Sequence, residues 1–152
     1  YSALEEAKAD ILGLYMVTQL LAKKELHETT LADHYVTFVA GILRSVRFGT
    51  ADAHGKANMI EFNYFADHGA FVRDAATGRY RVDVARARTA AEMLAGRILK
   101  LQGDGDYTMA KRVVTEEGMV RAELQGDMAR LAARSIPVDV YFEQGTKVLG
   151  LE

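Results

Sequence analysis

Glu5, Glu6 and Asp10 crowd the opening stretch Ser2-Ala-Leu-Glu-Glu-Ala-Lys-Ala-Asp10, which runs straight into an apolar segment. Glu6 and Asp10 are four residues apart, so on a helix they share a face one turn apart. A carboxylate ligand backed by a second carboxylate one turn on is how a helix presents one arm of a zinc site. The same residues also suit a simple helix start. Acidic side chains favour a helix N-terminus through the macrodipole, and Ser2 with Glu5 matches a capping box. Two features favour the site. The alanines between the carboxylates allow another element to come close, and the apolar run after Asp10 places carboxylates near buried surface, where an unpaired charge is costly. A cation or a histidine would relieve that cost.

Four histidines could complete such a site. His27 and His34 read as ordinary surface or capping residues. His68 precedes Gly69 at an expected helix end, where the dipole favours an imidazole. His54 lies in Ala53-His-Gly-Lys-Ala-Asn58, and its small neighbours leave the ring open to a ligand. No two histidines have the spacing of a helical zinc pair, and no His-Glu-x-x-His occurs. Other motifs fail. Asp104-Gly-Asp106 lacks the later glycine and glutamate of a calcium loop. Gly103 and Gly105 lack the strand and lysine of a phosphate loop. Arg79, Arg81, Arg86 and Arg88 alternate with Asp83 as a solvated face, and no serine sits in a nucleophile elbow.

The elements that must hold these residues are mostly helices. The spacing predicts a first helix capped by Ser2 and running to about Lys24, apolar on more than one face after Asp10 and so deeply buried. A second spans about Thr30 to Arg47, with Leu31, Tyr35, Phe38, Val39, Ile42 and Val46 at helical spacing. A third runs from Ala51 or Asp52 to His68, stopped by Gly69. Phe71–Asp74 and Arg79–Val82 flank Ala75-Ala-Thr-Gly78 as a β-hairpin. Asp83 opens a fourth helix to Gln102, followed by a turn at Gly103–Asp106. A fifth covers about Tyr107 to Glu117 and a sixth about Val120 to Ala133. Pro137 begins an irregular tail with a strand-like Val138–Phe142. The expected fold class is mainly α: about six helices, one small hairpin and an irregular C-terminal tail, all in one helical domain.

Composition sets the outer bounds. The chain has 152 residues, of which 49% are hydrophobic and 26% charged, enough for a real core. A formal net charge of -2 gives no electrostatic case for nucleic acid or an anionic membrane as a partner. No apolar run reaches the roughly 18 residues of a bilayer span. The absence of cysteine excludes disulfides, thiol catalysis and cysteine zinc sites, and suits a cytoplasmic protein. The first residue is Tyr, which leads us to expect a chain that begins partway into a longer protein.

Ala3-Leu-Glu-Glu-Ala-Lys-Ala-Asp-Ile-Leu-Gly-Leu-Tyr15 resembles the second signature of the dipeptidyl peptidase III family, zinc metallopeptidases of the M49 type. Ala53-His-Gly-Lys-Ala-Asn58 is similar to the family segment that carries an active-site histidine. The order of hairpin, helices and tail is also like the family's C-terminal part. The resemblance implies that Glu6 is a zinc ligand, and that Glu5 and Asp10 are carboxylates orienting the ligand histidines. It implies that His54 binds substrate or stabilises the transition state. Asn58 stands where some relatives have arginine. The family's first signature, His-Glu-x-x-Gly-His, is absent from this sequence. The resemblance therefore implies a C-terminal fragment, inactive alone, whose partners are the upstream part of the same chain and a short peptide substrate. Two alternatives stand beside it. One is a non-catalytic helical scaffold. The other is a longer protein that carries an upstream Nudix hydrolase domain, as some relatives do. The Glu-rich Nudix signature itself is missing here.

Overall fold

Helix α1 (Ser2–Ala22) buries Leu4, Ala7, Ile11, Leu14 and Thr18, a seam with alternating spacings of three and four residues. This comes from a computed structural model, which describes residues 2–140 and 142–151. The burial of α1 is narrower than its composition suggests. Tyr15 and Met16 are exposed, so the apolar residues after Asp10 do not all turn inward among the described residues. The expected cap is also absent. Ser2 lies inside the helix, and both Glu5 oxygens are taken by Lys8 and by Gln102 rather than turning back to Ser2.

Helix α2 (Leu31–Ser45) starts at a capping box the sequence reading missed. The Thr30 amide donates to Asp33, and the Asp33 amide donates back to Thr30 Oγ1. The helix buries Tyr35, Val39 and Ile42 and tightens into a 3-10 turn at Val46–Phe48. The Tyr35 hydroxyl lies 3.1 Å from Thr18 Oγ1, which satisfies the polar end of a fully buried ring.

Helix α3 (Ala53–Asp67) is the core helix, with nine of its residues buried. It packs most extensively on α1, and α2 and α4 cover other parts of it. The hairpin pairs β1 (Phe71–Arg73) with β2 (Tyr80–Val82), Phe71 opposite Val82. Its turn is closed by Asp74, which accepts from the Thr77 amide and hydroxyl. Phe62, Phe71 and Tyr80 form one aromatic cluster that seats the hairpin on α3.

Helix α4 (Val84–Asp104) begins at the Asp83 cap, as expected. It runs through Gly103, where the sequence predicts a turn. Gly105 is the residue that adopts the left-handed conformation, with φ 66°, and ends the helix. Helix α5 (Tyr107–Arg112) then widens into a π turn at Val113–Glu117. Three side chains clamp this π turn and the residues after it. Lys56 Nζ donates to the Gly118 carbonyl, the Asn63 amide donates to the Glu117 and Met119 carbonyls, and Arg97 grips the Glu117 carboxylate with two nitrogens.

Helix α6 (Ala122–Ala133) is bound to the hairpin through Asp127, which accepts from Arg73 and the Tyr80 hydroxyl and forms an ion pair with Arg130 of its own helix. The tail lies against the 3-10 turn, with Arg47 donating to the Ile136 carbonyl and Arg44 to Asp139. The strand expected at Val138–Phe142 does not form over Val138–Val140, and Tyr141 lies outside the described residues. A strand needs a partner for its backbone, and the described sheet has two strands that pair only with each other. Among the described residues, six helices and one small hairpin make a mainly α fold with an irregular tail. No described helix is long and apolar enough to cross a membrane.

Candidate functional site

The first turn of α3 is built to bring His54 up to α1. Asp52 caps the helix by accepting from the Gly55 amide at 2.7 Å. A Cβ on Gly55 would sit 2.4 Å from Thr50 Cα, so only glycine lets the preceding loop pack this closely. Asn58 fastens the same turn by donating 2.9 Å hydrogen bonds to Ser45 Oγ and to the His54 carbonyl. Asn58 is thus occupied inside the chain. The His54 ring itself remains largely exposed, and its Nε2 stands 3.2 Å from Glu6 Oε2. Two segments far apart in sequence meet at the residues that spacing and motif single out.

Asp10 belongs to the same acidic face. It is exposed, yet what desolvation it has is the main influence raising its carboxyl above the usual range. The Glu6 charge raises it further, and His54 opposes both. Glu5 points elsewhere. Lys8 lies 2.6 Å from one of its oxygens and Gln102 of α4 donates to the other at 2.6 Å. The Lys8 hydrogen bond is the main reason its carboxyl is held below the usual range. The structure therefore brings Glu6, Asp10 and His54 together and ties Glu5 to α4. The other histidines stay apart from this face. His34 Nε2 contacts Thr29, and His68 stacks on Tyr64 and contacts the Tyr64 carbonyl.

Sequence reasoning missed one residue. Glu61 of α3 is fully buried, and neither carboxyl oxygen has a hydrogen-bond partner. Burial pushes its pKa well above the ordinary value, and the Asp10 charge adds to that. A signal was present: an acid inside the apolar run Met59-Ile60-Glu61-Phe62, seven residues after His54 and so on nearly the same helix face.

The donor chemistry of Glu6 fits one position of a zinc site, since a carboxylate oxygen is an ordinary zinc ligand. It does not make a site alone. Among the described residues, no group of three or more His, Cys, Asp or Glu side chains is placed to hold a metal ion.

These features define the class as a helical fold with an acidic helix face met by a histidine from a neighbouring helix. Comparison with solved structures gives that fold its likeness. The dipeptidyl peptidase III of Caldithrix abyssi superposes with a TM-score of 0.85 and 36% identity, over 92% of this chain and 26% of that one. Dipeptidyl-peptidase III from Corallococcus sp. strain EGB gives a TM-score of 0.84 and 35% identity, over 92% and 26%. The chain therefore has a dipeptidyl peptidase III-like fold. Among curated proteins it is 38% identical over 140 residues to Nudix hydrolase 3 of Arabidopsis thaliana, covering 92% of this chain and 18% of that protein. It thus spans about a quarter of the solved chains and less than a fifth of the plant protein. No family profile matches the sequence.

Proposed function

We propose that this chain is the C-terminal portion of a longer zinc-dependent dipeptidyl peptidase III-like metallopeptidase of the M49 type. The observation that carries the proposal is the 3.2 Å approach of His54 to Glu6 within that fold. In this reading Glu6 supplies a ligand oxygen, and the remaining ligands and the general base come from an upstream His-Glu-x-x-Gly-His segment of the same chain. Asp10, beside Glu6, accepts from the far nitrogen of a ligand histidine and fixes its orientation. Glu5, tethered by Lys8 and Gln102, holds the first turns of α1 against α4 and supports the same histidines. His54, largely exposed and anchored by Asn58, contacts the peptide substrate and the charge that develops on its carbonyl oxygen. A zinc ion held by Glu6 and the upstream histidines would supply polarisation of that carbonyl and a more acidic bound water. The location in this reading is cytoplasmic, consistent with a chain that has no cysteine.

The longer protein decides the matter. It should hold one zinc and release dipeptides from short peptides, and Glu6→Ala should abolish both. Normal zinc content and turnover in that variant would refute the ligand assignment. The 152-residue chain alone should bind zinc weakly or not at all by calorimetry.

One observation favours a second reading. The plant relative is named a Nudix hydrolase, and this chain corresponds to only 18% of it. The longer protein would then also hydrolyse nucleoside diphosphate derivatives through a domain outside these residues. Hydrolysis of such compounds that survives Glu6→Ala would separate the two activities.

A further inference from the structure

His54 carries an exposed ring on a closely held backbone turn. Asp52 and Asn58 fasten that turn from within. Two neighbours grip it from outside. On one side the buried Gly55 meets the 49–50 loop at a distance that no Cβ would tolerate. On the other side the end of the π turn at Val113–Glu117 sits on Lys56, the residue after Gly55. Lys56 Nζ donates to the Gly118 carbonyl at 3.1 Å. Gly118 is buried, and a Cβ added to it would stand 3.1 Å from Lys56 Cδ and 3.5 Å from the Lys56 carbonyl oxygen. The π turn therefore meets both the side chain and the backbone of a residue two beyond His54. Such turns are rare, and they frequently stand at functional sites. An apolar side chain of similar length would cover Gly118 without desolvating an ammonium group. What the ammonium adds is a bond of set length and direction, where an apolar contact lets two elements slide.

We propose that Lys56 is a positioning residue for His54: its bond to the Gly118 carbonyl locks the π turn onto the first turn of α3 and sets where the imidazole stands against Glu6 and a substrate carbonyl. The proposal rests on the role given to His54 above. The Lys56 ammonium is occupied inside the chain, so it acts through His54 and not on substrate. A misplacement of about 1 Å in a reacting group costs on the order of 100-fold in rate.

The test joins one spectrum to one mutant cycle. In the 152-residue chain, nuclear Overhauser contacts between the His54 ring and the Glu6 side chain should fade in Lys56→Met. They should persist in Lys56→Arg, which keeps a charged donor. In the longer, zinc-loaded protein, Lys56→Met should lower kcat by about 10- to 100-fold, with KM and zinc content near wild type. Lys56→Arg should restore most of that loss. In a His54→Ala background, Lys56→Met should change kcat by less than about 2-fold, because residues that act as a unit are not additive. A role in stability alone would lower the melting temperature and leave the cycle additive. Equal losses with and without His54 overturn the proposal. So does wild-type kcat in Lys56→Met, or ring contacts that survive it. If Lys56→Met does not fold, Lys56→Gln, which removes the charge and shortens the stem, replaces it in both measurements. The spectrum involves neither metal nor substrate, so it decides the positioning role by itself. Normal turnover in His54→Ala would instead refute the part given to His54 in the reaction.

Discussion

Two buried carboxylates in this chain have opposite surroundings. Asp127 of α6 accepts from Arg73 Nε and Nη2 and from Tyr80 and pairs with Arg130, and these contacts hold its carboxyl below the usual range, Arg73 first. Glu61 of α3 has none, and its carboxyl is pushed well above that range. Asp127 joins the hairpin to the last helix, alongside the Arg73–Glu123 pair and the Arg130 hydrogen bond to the Gly78 carbonyl. Glu61 joins nothing through hydrogen bonds. Where a buried acid is fully partnered its purpose is visible in the fold. Where it is orphaned, hydrogen bonding within the fold gives no reason for it.

The largest effect should come from breaking the partnered acid. Asp127→Ala leaves the Arg73 guanidinium without its bidentate partner and should destabilise the chain by about 3–5 kcal/mol, measured by chemical denaturation. A loss below 1 kcal/mol on the same scale would mean that the network is ornamental. The second effect is a pH slope. The native state keeps the Glu61 proton at pH values where the unfolded chain, with a glutamate pKa of about 4.3, has lost it. Stability should therefore fall by roughly 1.4 kcal/mol per pH unit above that point until Glu61 ionises in the native state. Glu61→Gln should flatten the fall. Asp127 works in the other direction: its contribution is present above the unfolded aspartate pKa of about 3.9 and is lost as the pH drops through its lower native value. An unchanged slope in Glu61→Gln would remove the contrast between the two acids. The smallest effect should be Tyr80→Phe, which takes one donor from Asp127 and leaves Arg73 in place, at about 1–2 kcal/mol. A loss as large as that of Asp127→Ala would show that the hydroxyl, and not the guanidinium, holds α6.

Most of the fold was legible in the periodicity. The helices, the hairpin and the Asp83 cap stand where spacing and turn residues place them. The errors have physical causes. Gly103 and Gly105 both look like helix stops, and only the one that reaches a positive φ acts as one. Ser2 and Glu5 have capping-box spacing, but Lys8 and Gln102 compete for the Glu5 carboxylate. Val138–Val140 alternates like a strand without any strand beside it. At the site, Glu6 and Asp10 were legible because i,i+4 spacing is local. The His54–Glu6 contact spans 48 residues of sequence and follows only from how α3 packs on α1. Glu61 was visible as an acid in an apolar run. Its complete burial was not, since that follows only from how α3 packs in the core.

The π turn at Val113–Glu117 carries one more residue per turn than the helix before it. That extra residue sets the phase of everything downstream. Deleting Thr115 would restore ordinary helical winding and rotate Glu117 and Gly118 by about 100° relative to α3. Lys56, Asn63 and Arg97 would then all lose their targets at once. The stretch behaves like a keyed joint: one residue more or less and α5 no longer mates with the helix that presents His54. The 23–29 loop between α1 and α2, largely exposed and free of such a clamp, has no comparable tooth, and it is there that the chain can change length without disturbing the site.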